Sequence, residues 1–276
     1  MGLKLAAKNL LQGFGVYKPV YRLYYGCKTV VIRLFRSRAT LTVGHLTRVF
    51  ATPTPTHYQW IQRVLGEREM LEMFVDNLQA GDVVWDVGAH VGVYSLLAHG
   101  VVGQRGRVYA FEPEPRTYKL LGKNCQLNGV NNIDLLPMAL GDEDGEAVLY
   151  TDWRAGLGIH KLFYERRLQK RGTAVTVRRG DTVINNQIAR PPTVVKVDVE
   201  GWEYAVLSGM ATALSHCRLL LIEVHPQNLQ QVGKNAQDVH ALVTELGFKI
   251  VQADERTTTW DSGATAQQIH WLCLKQ

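Results

Sequence analysis

The chain has no aspartate or glutamate before Glu67, no closely spaced cysteine pair, no apolar stretch of membrane-spanning length and no G-x-G-x-x-G pattern. Each absence removes a class of protein. Cys27, Cys125, Cys217 and Cys273 lie far apart, which argues against a disulfide framework or a zinc site and fits the reduced thiols of a cytoplasmic protein. The apolar run Leu219-Leu220-Leu221-Ile222 soon meets Glu223 and His225, well short of the ~20 residues that a spanning helix needs. Lys4, Lys8 and Gln12 break the N-terminal apolar residues before a secretory segment forms. Met1-Gly2 opens as a myristoylation site does, but Ala6 stands where Ser or Thr is required.

The missing acidic residues leave a lopsided charge. The net charge of +6 is concentrated before Glu67, where Lys4, Lys8, Lys18, Arg22, Lys28, Arg33, Arg36, Arg38, Arg48 and Arg63 alternate with Phe14, Tyr17, Tyr21, Tyr24, Tyr25 and aliphatic residues. Such a segment can lie peripherally on an anionic membrane surface. It can equally be an arm, helical or extended, that packs on the domain or on a second copy of the chain in a homo-oligomer. Gly13, Gly15, Pro19 and Gly26 interrupt any single helical stripe and favour the arm. No nucleic-acid motif accompanies the charge, so no nucleic acid is expected as partner. Residues 1–66 are therefore read as a basic N-terminal arm and residues 67–276 as one domain, large enough for a sizeable core.

What is present begins with Asp86-Val87-Gly88-Ala89-His90-Val91-Gly92, directly after Val83-Val84-Trp85. About twenty residues on, Arg107 to Phe111 forms a second apolar run ending in Glu112, the arrangement that holds a nucleoside's ribose. The glycine spacing, with Asp86 in front, would repel the pyrophosphate of a dinucleotide. It suits a ligand with an ammonium and a sulfonium, as in S-adenosylmethionine (SAM). A plain strand-to-helix turn with Asp86 as N-cap would look the same locally, and Glu112 is what favours the cofactor.

Farther along, elements alternate. Helices are expected over Glu67–Leu78, Tyr94–His99 and Thr117–Leu127, and strands over 107–112, Ile133–Leu140, Ala147–Tyr150, Val194–Val199, Leu219–Val224, Phe248–Val251 and Ile269–Leu274. Continuous apolar strands alternating with helices predict an α/β fold with a buried, mostly parallel sheet. Residues 151–180, with Trp153, His160, Tyr164, Arg166, Arg167, Lys170 and Arg171, read as a long substrate-side loop.

One strand breaks the apolar rule. Lys196, Asp198 and Glu200 alternate with Val195, Val197 and Val199, so a strand continued to Glu200 would put three charges on one face. Burial requires a partner for Lys196, and Asp198 is suitably placed. The pair can be structural, or it can line the ligand crevice at the strand's carboxyl end. Glu223 and His225 alternate in the same way at the next strand tip.

Together, Val83 to Ser95, Phe111-Glu112-Pro113, Asn128-Gly129, Ala139-Leu140-Gly141-Asp142, Lys196-Val197-Asp198-Val199-Glu200-Gly201-x-Glu203 and Glu223-Val224-His225-Pro226 resemble the FkbM-type SAM-dependent methyltransferases over residues 67–274. His90 stands where that family commonly has Asn. The resemblance implies a Rossmann-like class I methyltransferase fold, with seven strands ordered 3-2-1-4-5-7-6 and the last antiparallel, and O-methylation of hydroxyls on sugars or polyketide-like small molecules. With SAM as donor, Asp86, Gly88, Ala89, His90 and Gly92 belong near its methionine end and Glu112 on the ribose hydroxyls. Met138, Ala139 and Asp142 would flank adenine, and Glu67 would close the site. Asp198 is the first candidate to orient or deprotonate the acceptor and His225 the second. Lys196 keeps Asp198 charged, and Glu200, Glu203 and Glu223 complete a polar wall. A divalent ion on Asp198, Glu223 and His225 is chemically conceivable, but no ligand spacing demands it, so no metal is expected. The competing functions are a methyltransferase acting on protein or nucleic acid, an NAD-dependent oxidoreductase, which should show the missing glycine pattern, and a non-catalytic interaction module, which would have no need of charged strand tips.

Overall fold

A computed structural model describes residues 37–64, 67–152, 159–163, 172–259 and 265–276. The chain order is a hairpin of β1 (Arg38–Val43) and β2 (Leu46–Ala51), helices α1 (Pro55–Val64) and α2 (Arg68–Asp76), then β3 (Val83–Val87), α3 (Val93–Val102), β4 (Arg107–Phe111), α4 (Pro115–Leu127) and β5 (Ile133–Leu136). Four strands follow, β6 (Ala139–Leu140), β7 (Gly145–Asp152), β8 (Ile159–Phe163) and β9 (Thr173–Arg178), then α5 (Gly180–Asn185), β10 (Val194–Asp198), α6 (Glu203–Ser208), β11 (Leu219–Val224), α7 (Pro226–Leu229), α8 (Ala236–Glu245), β12 (Phe248–Thr259) and β13 (Thr265–Lys275).

The central sheet has seven strands in spatial order β5-β4-β3-β10-β11-β13-β12. Numbered along the chain, this is 3-2-1-4-5-7-6, and β13 runs antiparallel to both neighbours while β5, β4, β3, β10 and β11 pair in parallel. It is the class I methyltransferase fold. Val84, Trp85, Val194, Val195 and Val197 are fully buried, as strands covered by helices on both faces require. Successive strands are added to one side of β3 up to β5 and to its other side from β10 on, so a crevice opens at the carboxyl ends of β3 and β10.

Two expected elements differ. The strand expected over 133–140 is split at Pro137, which has no N–H to continue a ladder. Its first half pairs with β4 and its second, β6, with β9. The stretch 151–180 is not one long loop. β8 and β9 join β6 and β7 in a second, four-stranded sheet, and β9 shows the alternation of a half-buried strand through Val175 and Val177. Trp153, Tyr164, Arg166, Arg167, Lys170 and Arg171 lie outside the described residues.

Residues 38–64, part of the expected arm, pack on the domain: Leu41, Val43, Leu46, Phe50 and Ile61 share one buried cluster with Phe74, Leu96 and Leu97. Asparagine side chains on α4 and at its C-cap supply the outer hydrogen bonds of β2. Asn124 Oδ1 accepts from Ala51 N at 2.8 Å, while Asn128 accepts from Val49 N at 2.9 Å and donates to Val49 O at 2.7 Å. An edge strand's open backbone groups are thereby satisfied. The basic residues before Ser37, and Cys27, lie outside the described residues. Cys125, Cys217 and Cys273 are free and buried, and no helix among the described residues is long and apolar enough to cross a membrane.

Candidate active site

The turn after β3 is held tightly between its neighbours. Gly88 and Ala89 donate to Phe111 O at 3.1 and 3.0 Å, and a Cβ on Gly88 would lie 1.9 Å from Asp198 O, with φ at +79° besides. Glycine is thus required twice over. His90 is left-handed at φ 51°, a conformation that Asn adopts readily and His tolerates. Gly92, not Asp86, is the N-cap of α3. Asp86 is fully buried, accepts from Ser95 Oγ at 2.5 Å and lies 3.4 Å from Lys196 Nζ, so it serves the turn from behind and does not line the cleft.

Glu112, at the tip of β4, is 3% exposed. One carboxylate oxygen accepts from His90 N at 2.9 Å and the other from Glu114 N at 2.8 Å. Burial pushes its carboxyl up to about 7, against those two hydrogen bonds. Each oxygen keeps a further lone pair for a ribose hydroxyl. Glu112 N donates to Leu136 O, which puts Met138 and Ala139 one strand away, at the β5–β6 bend. Asp142 lies beyond β6, where its carbonyl accepts from Arg179 Nη1 at 2.7 Å.

At the tip of β10, the buried Lys196 Nζ donates to Gly88 O at 3.0 Å and sits 3.4 Å from both Asp86 and Asp198, with the Tyr94 ring 5.0 Å away. Burial disfavours its charge, but Asp198, Asp86 and Glu223 outweigh that and raise its pKa. The strand ends at Asp198, so Glu200 does not share the lysine's face by alternation as expected. A left-handed turn at Glu200 (φ 54°) and Gly201 (φ 102°) brings its carboxylate round to 3.6 Å from His225 Nε2. Glu203 Oε1 meets His225 Nδ1 at 2.8 Å and fixes that ring. Glu223 lies 3.4 Å from His225 and 3.2 Å from His270.

These groups shape a small, partly open cleft of about 90 Å³. Of the expected residues, Glu67, Gly88, Ala89, His90, Lys196, Asp198, Glu200 and Glu223 line it, whereas Asp86, Gly92, Glu112, Met138, Ala139, Asp142 and His225 do not. Glu67, the N-cap position of α2, makes no side-chain capping bond there and faces the cleft. Sequence reasoning missed Trp60, Arg63, Val64, Val93, Tyr94 and Gln268 in the lining, and His270 beside it. Trp60 packs edge-on to His90 at 4.6 Å between ring centroids. The polar Gln268 and His270 at alternate positions of a buried strand were a readable signal; nothing marked Trp60.

Electrostatically the cleft carries an excess of acid. Burial and then Glu223 push Glu67 to about 7, and burial pushes Glu200 to about 7 despite His225. Asp198 is raised by burial and Glu223 against the pull of Lys196. Burial also opposes charge on Glu223, but His225 and His270 outweigh it and hold Glu223 well below its usual range. Both imidazoles are raised, since burial is outweighed by the carboxylates, Glu200 foremost for His225 and Glu223 for His270.

Residues 86–250 match the Methyltransferase FkbM domain family. The chain belongs to that family. FkbM-domain relatives include the hexuronic acid methyltransferase AglP of Haloferax volcanii, 29% identical over 67% of this chain and 71% of that protein. Another is the 31-O-demethyl-FK506 methyltransferase FkbM of Streptomyces tacrolimicus, 29% identical over 67% of this chain and 84% of its own. Among solved structures, the precorrin-6y C5,15-methyltransferase of Geobacter metallireducens superposes with a TM-score of 0.45 at 13% identity, covering 76% of this chain and 88% of that one. As an FkbM-family enzyme, this protein uses SAM as methyl donor. The crevice beside Gly88 and the spare lone pairs of Glu112 are the features here that fit that cofactor.

Proposed function

We propose that the enzyme transfers the methyl group of SAM to a hydroxyl of a sugar or a natural-product-like small molecule bound in this cleft. The observation that carries the reading is the pairing of buried Lys196 with the partly exposed Asp198, which brings a carboxylate to the cleft directly beside the Gly88 turn. SAM's ribose would be held by Glu112, its adenine near Met138 and Ala139 with Asp142 beyond, and its methionine end by the backbone of Gly88 to His90. Methyl transfer is an in-line displacement on a sulfonium, whose positive charge is lost as the new bond forms, so the protein's main task is to align the acceptor oxygen in a dry site. Asp198 orients that oxygen, the surrounding carboxylates take up the hydroxyl proton, and Trp60 offers a stacking face to a sugar ring. The named substrates of the two relatives, a hexuronic acid and a demethylated FK506, support a hydroxyl-bearing small molecule as acceptor.

The test is methyl transfer from labelled SAM to uronic acid glycosides and macrolide hydroxyls. Asp198→Asn should keep S-adenosylhomocysteine binding and lose on the order of 100-fold or more in turnover. Equal loss of binding would place Asp198 on the cofactor instead. We also infer that the basic segment before Ser37 makes contacts beyond the cleft, its charge and aromatic content supporting an anionic membrane surface. Flotation with anionic vesicles that is absent for a chain starting at residue 37 would place the segment on a membrane. Self-association without flotation would point to a homo-oligomer.

A further inference from the structure

We propose that Asp198, Glu200 and His225 form a divalent cation site at the acceptor end of the cleft. The inference rests on the methyl-transfer reading of the same cleft and adds to it the group that would hold the acceptor.

One ligand atom from each of the three residues lies within 4.8 Å of the other two. His225 Nε2 is 3.6 Å from Glu200 Oε2 and 4.0 Å from Asp198 Oδ1. Ligands bound at ~2.1 Å with angles between ~90° and ~180° are themselves ~3.0–4.2 Å apart, the range of both distances to His225, so an ion fits here once the two carboxylates are within that range of each other.

The imidazole points independently to a ligand. His225 is 3% exposed, and its Nε2 makes no well-directed hydrogen bond, with Glu223 Oε1 and Glu200 Oε2 only at 3.4 and 3.6 Å. Glu203, bonded to Nδ1 at 2.8 Å, fixes the ring so that Nε2 faces the carboxylates, as a carboxylate behind a metal-binding histidine commonly does. A buried nitrogen held in this way without a bond is unfavourable unless something occupies the space before it. Glu223 Oε1, 3.4 Å from Nε2, can serve as a fourth ligand.

Lys196 leaves this position open. It engages Asp198 through Oδ2, on the Asp86 side, whereas Oδ1 faces His225. Asp86, Asp198, Glu200, Glu203 and Glu223 are five carboxylates facing Lys196, His225 and His270, so a divalent ion standing in place of the proton on His225 Nε2 would help to balance the cluster. The side chains of Asp198 and Glu200 are 29% and 30% exposed toward solvent, leaving coordination positions open to the cleft. Two carboxylates and one imidazole suit a small first-row ion such as Mn²⁺ or Zn²⁺ better than Ca²⁺, which takes six to eight oxygens. The open positions suit an acceptor with two adjacent oxygens, a vicinal diol or a hydroxyl beside a carboxylate.

The experiment is titration of the untagged, EDTA-stripped full chain with Mn²⁺, followed by electron paramagnetic resonance, and with Zn²⁺ by calorimetry. S-adenosylhomocysteine is titrated in parallel. One Mn²⁺ site is expected, weakened at least about tenfold in Glu200→Gln and in His225→Gln while S-adenosylhomocysteine still binds both variants. Protein that binds S-adenosylhomocysteine but neither metal, or metal binding unchanged in both variants, overturns the site and leaves the proposed function intact. Metal binding with the expected variant losses, but no S-adenosylhomocysteine binding, supports the site and overturns the methyl-transfer reading.

Discussion

At Glu112, burial and the cofactor pull in opposite directions. Its carboxyl, at about 7, is largely protonated in mildly acidic solution, but two ribose hydroxyls donating to it favour the carboxylate. Binding therefore releases a proton below about pH 7. S-adenosylhomocysteine affinity should hold at pH 8 and fall by up to about tenfold per unit well below pH 7. Calorimetry between pH 5.5 and 8.5 checks this, and a flat profile would remove Glu112 from the ribose. Lys196 gives a second prediction. Replacing it with Met leaves the fully buried Asp86 without its cation and should destabilise the protein by about 3–5 kcal/mol in urea denaturation. The need for a partner to Lys196 was legible, because a lysine among valines in a buried strand demands one. That this partner would be Asp86 as well as Asp198 was not, since it depends on β3 lying beside β10.

The element that matters most to the site is the strand-to-helix turn at Gly88. Gly88→Ala adds a Cβ 1.9 Å from the Asp198 carbonyl and at φ +79°, so it should cost about 3 kcal/mol or more. Gly129→Ala, also at positive φ but with nothing within 4 Å, should cost about 1 kcal/mol. Comparing the two variants by thermal denaturation separates close approach from conformation alone; equal losses would mean that β10 can give way. The glycine turn was legible from its spacing, and the helix that covers it was not. α1 carries an ordinary amphipathic pattern, and Trp60 and Arg63 reach the cleft through the docking of the hairpin and α1, by their apolar residues and by the bonds to Asn124 and Asn128. Glu200 likewise reaches the site through a left-handed turn, which strand periodicity cannot foresee.

For the whole molecule, the apolar runs marked the central strands but also Ala147–Tyr150, which joins the smaller sheet, so the count of seven and the spatial order both came from family resemblance, because pairing depends on crossovers that periodicity does not encode. The acid-rich cleft also sets how the fold responds to pH. Glu67, Glu112 and Glu200 have folded values near 7 against an ordinary 4.5, so their contribution is fully present below 4.5 and lost as pH rises through 7. The raised His225 and His270 act in the same sense, and Glu223, held low, opposes them only in acid. Tm should therefore fall between pH 6 and pH 8, on the order of 5 °C. A Tm that rises over this interval would show these carboxyls to be charged and paired. Whether the crevice beside Gly88 and Glu112 holds SAM is decided by calorimetric titration with S-adenosylhomocysteine and separately with NAD, on the protein and on Glu112→Ala. Micromolar binding of S-adenosylhomocysteine alone, lost in the variant, is expected; preference for NAD, or affinity unchanged by Glu112→Ala, would rule that cofactor site out.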